Sequence, residues 1–298
     1  MFGLSNFINT KDHNWLTVTI KGICVICLLM FAACTKTGES SSEFIDNIEP
    51  ADELYNQGLA NLNAGDRKEA REKFEAVDKQ HPYSELSRKS LLMLTFMSYR
   101  DGKYADTAAT GKRYVTLYPG SKDAAYAQYL VGMSYYRQIP DVTRDQNMTA
   151  KAYTSMKVVT DRYPDSEYVQ DAKLKMRIAF DQIAGKEMLV GRYYQERREF
   201  LAAVNRYRRV VEKFQNTRHV EEALARLTET YYSLGLISEA QTATAVLGHN
   251  FPDSQWYRDS YKLLNAGGVT PDENQNSWIS KSFKPTAKTK TKTEADHG

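Results

Sequence analysis

Beyond position 34 the chain has no cysteine. Its three cysteines, Cys24, Cys27 and Cys34, all fall near the start of the 298 residues. A disulfide framework or a cysteine-based zinc site is therefore excluded from the rest. Proline and glycine are scarce, at 8 and 16 residues, while alanine, leucine and tyrosine are plentiful. That balance disfavours a turn-rich β protein and favours helices. Neither sign of charge dominates: 40 Lys and Arg face 37 Asp and Glu, a net of +3. Total charge gives no reason to expect a nucleic-acid partner. A glycine-rich phosphate loop and a GxSxG elbow are both missing, and the five histidines are scattered without metal-ligand spacing. These absences leave no catalytic constellation, so the expectation is a protein that is not an enzyme and needs no cofactor.

What is present begins with Gly22–Ala33, GICVICLLMFAA, an uncharged run preceded by Lys11 and Lys21. Its length and flank suit the apolar region of a signal peptide, and it is too short to span a bilayer. A longer reading from Trp15 to Ala33 makes a spanning helix, but Lys21 would then sit inside it at about 2.5–3.5 kcal/mol if central. Ala32 and Ala33 stand directly before Cys34, and TKTGESSSE follows it. Phe31–Cys34 resembles a bacterial lipobox, whose cysteine is acylated. An acylated Cys34 is expected to anchor the chain to a membrane, each buried methylene contributing about 0.8 kcal/mol. Cys24 and Cys27 form a CxxC, but one that lies within the apolar segment to be removed.

A repeat runs through the remainder. The tetrads His81-Pro82-Tyr83-Ser84, Tyr118-Pro119-Gly120-Ser121, Tyr163-Pro164-Asp165-Ser166, Phe214-Gln215-Asn216-Thr217 and Phe251-Pro252-Asp253-Ser254 are spaced 37, 45, 51 and 37 residues apart. Seventeen positions before each second member stand Gly65, Gly102, Asn147, Arg198 and Gly235. Twelve before stand Ala70, Thr107, Ala152, Ala203 and Ala240. A glycine or asparagine suits a left-handed residue ending one helix. The small residue lets a second helix pack closely, proline stops that helix, and Ser or Thr caps the next. One such pair cannot bury its apolar face, so neighbours must stack.

These offsets resemble the tetratricopeptide repeat. The fold implied is all-α, a right-handed superhelix of five tetratricopeptide-like helix pairs. The pairs are expected at Ala51–Asn63 with Arg67–Gln80, Ser84–Arg100 with Lys103–Leu117, and Lys122–Gln138 with Thr149–Arg162. Two more follow at Glu167–Glu196 with Phe200–Lys213, and Arg218–Leu234 with Ser238–Asn250. The longer spacings place a polar loop at Ile139–Met148 and lengthen the first helix of unit four by about four turns. Ser254–Leu264 is expected to cap the array. The chain then divides into a signal peptide (1–33), a polar tether (34–50), the repeat domain (51–266) and a disordered basic tail (267–298) carrying Lys281, Lys284, Lys288, Lys290 and Lys292.

Two patches are candidate docking sites. Phe74, Tyr83, Leu92, Phe96, Tyr99 and Tyr104 gather aromatics in units one and two, where core packing and an exposed peptide groove both remain open. Lys186–Arg218 holds nine basic residues against four acids, a net of +5. It reads either as a solvated helix face or as an arginine-rich surface for an acidic partner. As a surface residue, Arg206 is expected to tolerate reversal to Glu within about 0.5 kcal/mol.

The lipobox, five repeats, the insertion in unit three and the run Tyr193-Tyr194-Gln195-Glu196-Arg197 followed by Ala203-Val204-Asn205-Arg206 together resemble the BamD family, outer-membrane lipoproteins of the β-barrel assembly machinery. Leu54-Tyr55-Asn56-Gln57-Gly58 and Arg144-Asp145-Gln146 fit the first and third repeats of that family. Arg198, where a small turn residue is usual, and the long tail depart from it. The resemblance implies lipid anchoring through Cys34 on the periplasmic face of the outer membrane. It implies that the N-terminal repeats, through Phe74, Tyr83, Phe96, Tyr99 and Tyr104, receive C-terminal signals of unfolded outer-membrane β-barrel proteins. It further implies that Arg206, supported by Arg197 and Arg209, docks on the periplasmic domain of the barrel subunit BamA, with other lipoproteins of the machinery as further partners. The alternative is a different repeat lipoprotein, scaffolding cell-wall or division enzymes or serving glycan uptake.

Overall fold

A computed structural model describes residues 48–283, and among them only helices and turns occur. Five antiparallel pairs follow in order: α1 (Ala51–Ala64) with α2 (Arg67–Gln80), α3 (Glu85–Arg100) with α4 (Tyr104–Leu117), α5 (Ala124–Tyr136) with α6 (Asn147–Arg162), α7 (Val169–Glu196) with α8 (Phe200–Lys213), and α9 (Val220–Ser233) with α10 (Ile237–Asn250). A sixth first helix, α11 (Gln255–Ala266), closes the array, and a short α12 (Trp278–Phe283) follows. First helices touch their successors, α1 with α3, α3 with α5, α5 with α7 and α9 with α11. Second helices make no comparable contact with one another among the described residues. The array therefore curves as a tetratricopeptide-like superhelix with the first helices on its inner side.

The turns within pairs follow the expected chemistry in four of the five units. Gly65, Gly102 and Gly235 take left-handed backbone, with φ of 93°, 72° and 75°. Arg198 takes the same conformation at φ 61°, the strained choice for a residue with a side chain. In unit three the expectation fails: Asn147 opens α6 instead of ending α5, because residues 137–146 form the connecting loop. Ser84 and Ser254 cap as expected, accepting from the backbone N–H groups of Ser87 and Trp256.

Packing within each pair follows a rule of complementary size. The five small residues Ala70, Thr107, Ala152, Ala203 and Ala240 are all buried. Four positions further on, the second helices of units one, three and four carry Phe74, Met156 and Tyr207, each fully buried. Opposite each of these the first helix has glycine. A Cβ on Gly58 would meet Phe74 at 2.8 Å, one on Gly132 would meet Met156 at 2.7 Å, and one on Gly191 would meet Tyr207 at 2.4 Å. In units two and five the pattern inverts to small residues on both helices. Gly111 faces Thr95, and Thr244 shares a 3.0 Å hydrogen bond with Thr228. In units one, three and four close packing is thus kept by a glycine opposite a large side chain.

The loop of unit three is built and held. Asp141 accepts from the Thr143 N–H at 2.9 Å and its hydroxyl at 2.7 Å, and these bonds keep its carboxyl below the usual range. The lengthened α7 then clasps the loop. Gln182 donates to the Pro140 carbonyl at 3.1 Å, and Lys186 donates to that of Thr143 at 2.7 Å.

The expected disordered tail is wrong over 267–283. These residues turn back as a strap across the second helices α8 and α10. Ile279 is fully buried, and Val269, Trp278 and Phe283 pack against the C-terminal core. The segment is polar in composition, but these four apolar side chains are enough to seat it. The tail from 284 onward, the signal peptide and Cys34 lie outside the described residues, as does nearly all of the tether. Among the described residues no helix is long and apolar enough to cross a membrane.

Candidate docking surfaces

The aromatic patch does not assemble as a single site. Phe74 belongs to the core: it is fully buried, under Gly58 and 5.5 Å from the Tyr55 ring. Its helical spacing with Ala70 and Val77 already placed it there, and a groove role is corrected accordingly. Tyr83 is 81% exposed in the turn before α3, on left-handed backbone with φ 68°. Phe96, Tyr99 and Tyr104 lie towards the other end of α3, about 16 Å or more further along its axis. They are half-buried and close together in sequence and space. The Tyr99 and Tyr104 rings are 6.1 Å apart, and the Arg100 guanidinium lies 5.7 Å from the Phe96 ring. The Tyr99 hydroxyl accepts from Arg137 Nε at 3.3 Å, tying unit two to unit three.

The arginine surface is built on α7 and α8. Glu187 lies on α7 within the buried stripe Ala184, Met188 and Gly191, and its side chain is only 11% exposed. Two arginines one turn apart on α8 hold it. Arg206 Nη1 reaches Glu187 Oε2 at 3.1 Å, and Arg209 Nη1 reaches Oε1 at 3.0 Å. One carboxylate so shared satisfies both its oxygens and fixes two guanidiniums that keep 35% and 49% of their side chains in solvent. Arg197 stands in the turn between α7 and α8, 59% exposed. It lies 3.4 Å from Glu199, and its guanidinium is 5.4 Å from the Tyr193 ring.

Two of the nine cations of this stretch are paired from outside it and four from within it. Arg218 pairs with Asp181 at 2.9 Å, and Arg192 pairs with Glu222 at 2.8 Å. Arg208 pairs with Glu212 at 2.7 Å. Glu222 and Glu229 in turn hold Arg226, while Gln195 donates to Glu229 and accepts from the buried Tyr207 hydroxyl at 2.7 Å. Burial pushes the Tyr207 phenol up, so this hydroxyl stays a donor. Asp181 and Glu222 thus offset two of the five excess charges of the stretch. Arg206 is also not a free surface residue. Reversal to Glu would set a second carboxylate against the nearly buried Glu187, so the near-neutral cost expected for it does not hold.

Sequence reasoning missed two features here. Glu187 was counted as one acid among four, although its place in an apolar i, i+3, i+4, i+7 stripe marked it as buried. A cleft of about 970 Å³ between α6, α7 and the α8–α9 turn was also unforeseen. Tyr153, Met176 and Phe180 line it, with Arg177 and Arg218 among its polar residues. Ile178 at its wall and Leu174 one turn away are 44% and 42% exposed, a small apolar stripe left uncovered. Among the described residues no cluster of three or more His, Cys, Asp or Glu could hold a metal ion.

With this geometry in place, comparison with known proteins is informative. A profile of the family YfiO, described as outer membrane lipoprotein, matches residues 48–247. The chain is 45% identical over 222 residues to outer membrane protein assembly factor BamD of Caulobacter vibrioides, covering 74% of this chain and 73% of that one. It is 36% identical over 249 residues to the protein of the same name from Rickettsia prowazekii, covering 84% and 97%. To that of Neisseria gonorrhoeae it is 29% identical over 245 residues, covering 78% and 92%.

Proposed function

The chain belongs to the YfiO family of outer membrane lipoproteins, whose members include the BamD assembly factors, and on that premise we propose that it is the docking platform of a β-barrel assembly machinery. It works without catalysis, as an assembly factor for outer-membrane proteins. Lipid on Cys34 holds it to the outer membrane on the periplasmic side. Its N-terminal repeats receive C-terminal signals of unfolded β-barrel proteins near Phe96, Tyr99 and Tyr104, with the exposed Tyr83 as a separate contact. Its C-terminal repeats dock on the periplasmic domain of BamA.

The observation that carries this reading is the clamp of Arg206 and Arg209 on Glu187. Guanidiniums held by a nearly buried carboxylate lose little further freedom when an acidic partner arrives, so the entropic cost of docking is reduced. Their remaining N–H donors point to carboxylates as the complementary groups. Arg197, stacked near Tyr193, extends the same surface.

The test is recovery of partners. A tagged full-length chain extracted in mild detergent is expected to bring down BamA, and Arg209→Glu is expected to abolish this while the chain stays acylated and folded. Recovery of cell-wall or division enzymes without BamA would replace this reading with the scaffold alternative.

A further inference from the structure

The strap shows how the outer side of this array takes up a segment that turns into a short helix: the Ser277 N–H donates to the Asn274 carbonyl at 3.0 Å, and α12 opens at Trp278. Counted from the second member of each repeat tetrad, the strap's partners occupy defined positions. Trp278 lies over Arg208, seven residues before Gln215, at 4.7 Å from the guanidinium. Its indole N–H donates at 3.2 Å to the hydroxyl of Tyr231, sixteen residues after Gln215. The Ser277 hydroxyl donates at 2.7 Å to Glu239, thirteen before Pro252. The backbone N–H of Asn274 donates at 3.1 Å to Thr242 Oγ1, ten before Pro252.

The same four positions two units earlier are Lys112, Tyr135, Lys151 and Thr154. They line a hollow of about 560 Å³ between α4 and α6, over α5, and no described segment of the chain fills it. The correspondence is chemical as well as positional. A cation again stands where Arg208 does, and a tyrosine again where Tyr231 does. Thr154 bonds back to the Ala150 carbonyl at 2.9 Å, as Thr242 does to Ser238 at 2.8 Å, leaving the hydroxyl oxygen free to accept. Val115 and Val158 supply the apolar floor that Val211 and Val246 supply beneath the strap. The Lys112 and Lys151 ammonium groups both rest on the Tyr135 ring, at 5.3 and 5.8 Å from its centre.

One position is inverted: where the strap's seat has Glu239, this one has Lys151. The lining carries Lys112, Lys151 and Arg162 and no carboxylate, and among the described residues none of the three cations forms an ion pair. We propose that the groove between α4 and α6 is a docking seat for a partner polypeptide segment that, like the strap, turns into a short helix, and in which an acidic residue immediately precedes an aromatic one. The acid pairs with Lys151, the aromatic ring displaces Lys112 from Tyr135 and lies beneath it, and a backbone N–H three residues earlier bonds Thr154. The register is that of the strap, with the acid in place of Ser277. This seat is distinct from the Glu187 clamp and does not depend on it.

The probe is a fluorescent peptide of residues 274–283 carrying Ser277→Asp, titrated by anisotropy against the full-length chain in detergent. Saturable binding is expected, weaker by at least tenfold for the unmodified peptide. Lys151→Glu should lower affinity for the Asp peptide at least tenfold and reverse the preference between the two peptides. Lys112→Ala should weaken both. Arg209→Glu should change neither, which separates this seat from the BamA surface. Both lysines are exposed, and unchanged thermal melting of each variant excludes misfolding as the cause. Absence of binding at millimolar peptide, or binding indifferent to Lys151→Glu, overturns the proposal. So does loss of binding on Arg208→Ala alone, which would mean exchange with the chain's own strap. Two further results would also overturn it: self-association that requires Trp278, or Lys151-dependent binding of phosphatidylglycerol vesicles with the peptide inert.

Discussion

The outer sides of the two halves of the array carry equivalent positions and are finished differently. Between α8 and α10 the chain covers its own groove with a strap, and the neighbouring Arg206, Arg208 and Arg209 are each paired with a carboxylate. Between α4 and α6 no described segment covers the groove, and its cations pair with no described carboxylate. The difference separates two uses of one repeat. In the C-terminal half, ionic and apolar contacts are consumed internally, so docking there has to work through guanidiniums already fixed by the fold. In the middle of the array the surface keeps charge to offer.

Four predictions can break or sharpen this contrast. The largest effect is expected inside the covered half. Tyr207→Ala empties the space matched to Gly191 and removes the hydroxyl bonded to Gln195, and should cost about 3–5 kcal/mol in urea unfolding. A loss below 1 kcal/mol would refute the matched-volume account of the pairs.

Next is the strap. Ile279→Ala should cost about 2–5 kcal/mol. Hydrogen exchange should accelerate in α8, α10 and α12 while α2 to α4 keep their protection, since repeats couple mainly to neighbours. Uniform acceleration along the array would erase the distinction between the halves.

The third prediction concerns the clamp. Arg206→Glu leaves Glu187 one partner and one repelling neighbour, and should cost about 1–3 kcal/mol. Adding Glu187→Gln should recover most of that loss, and failure to recover it would show that the cost does not arise at this carboxylate.

The smallest effect is expected at Arg197. Its ion pair with Glu199 is exposed, so Arg197→Ala should change stability by no more than about 0.5 kcal/mol. A larger change would place Arg197 in the structural network instead of on a free surface.

Much of the fold was legible because repeats write themselves into sequence. Proline, a small residue and a turn residue recur at fixed offsets, and each is required by a local event of helix stop, close approach or left-handed turn. Phe74 was legible twice, with opposite meanings: its periodicity placed it in the core, the family resemblance placed it in a groove, and packing against Gly58 decided for the core. Other features depend on contacts between distant segments. Glu187 is held by arginines one helix away and Arg218 by Asp181 on α7, so a charge count over a sequence window showed neither the burial of the one nor the partner of the other. The strap was misread for a related reason. Its polar composition suggested disorder, while the groove that receives Trp278 and Ile279 is made by helices 30 to 80 residues earlier.

The central claim is that the C-terminal repeats dock on BamA through guanidiniums fixed by the fold. Calorimetric titration of the purified full-length chain with the periplasmic domain of BamA tests it most directly. The account predicts saturable binding that Arg209→Glu reduces at least tenfold, at a stability cost of about 1–3 kcal/mol, like that of Arg206→Glu, that leaves the chain folded, and that Lys151→Glu leaves unchanged. Equal affinity for the wild-type chain and Arg209→Glu would contradict it.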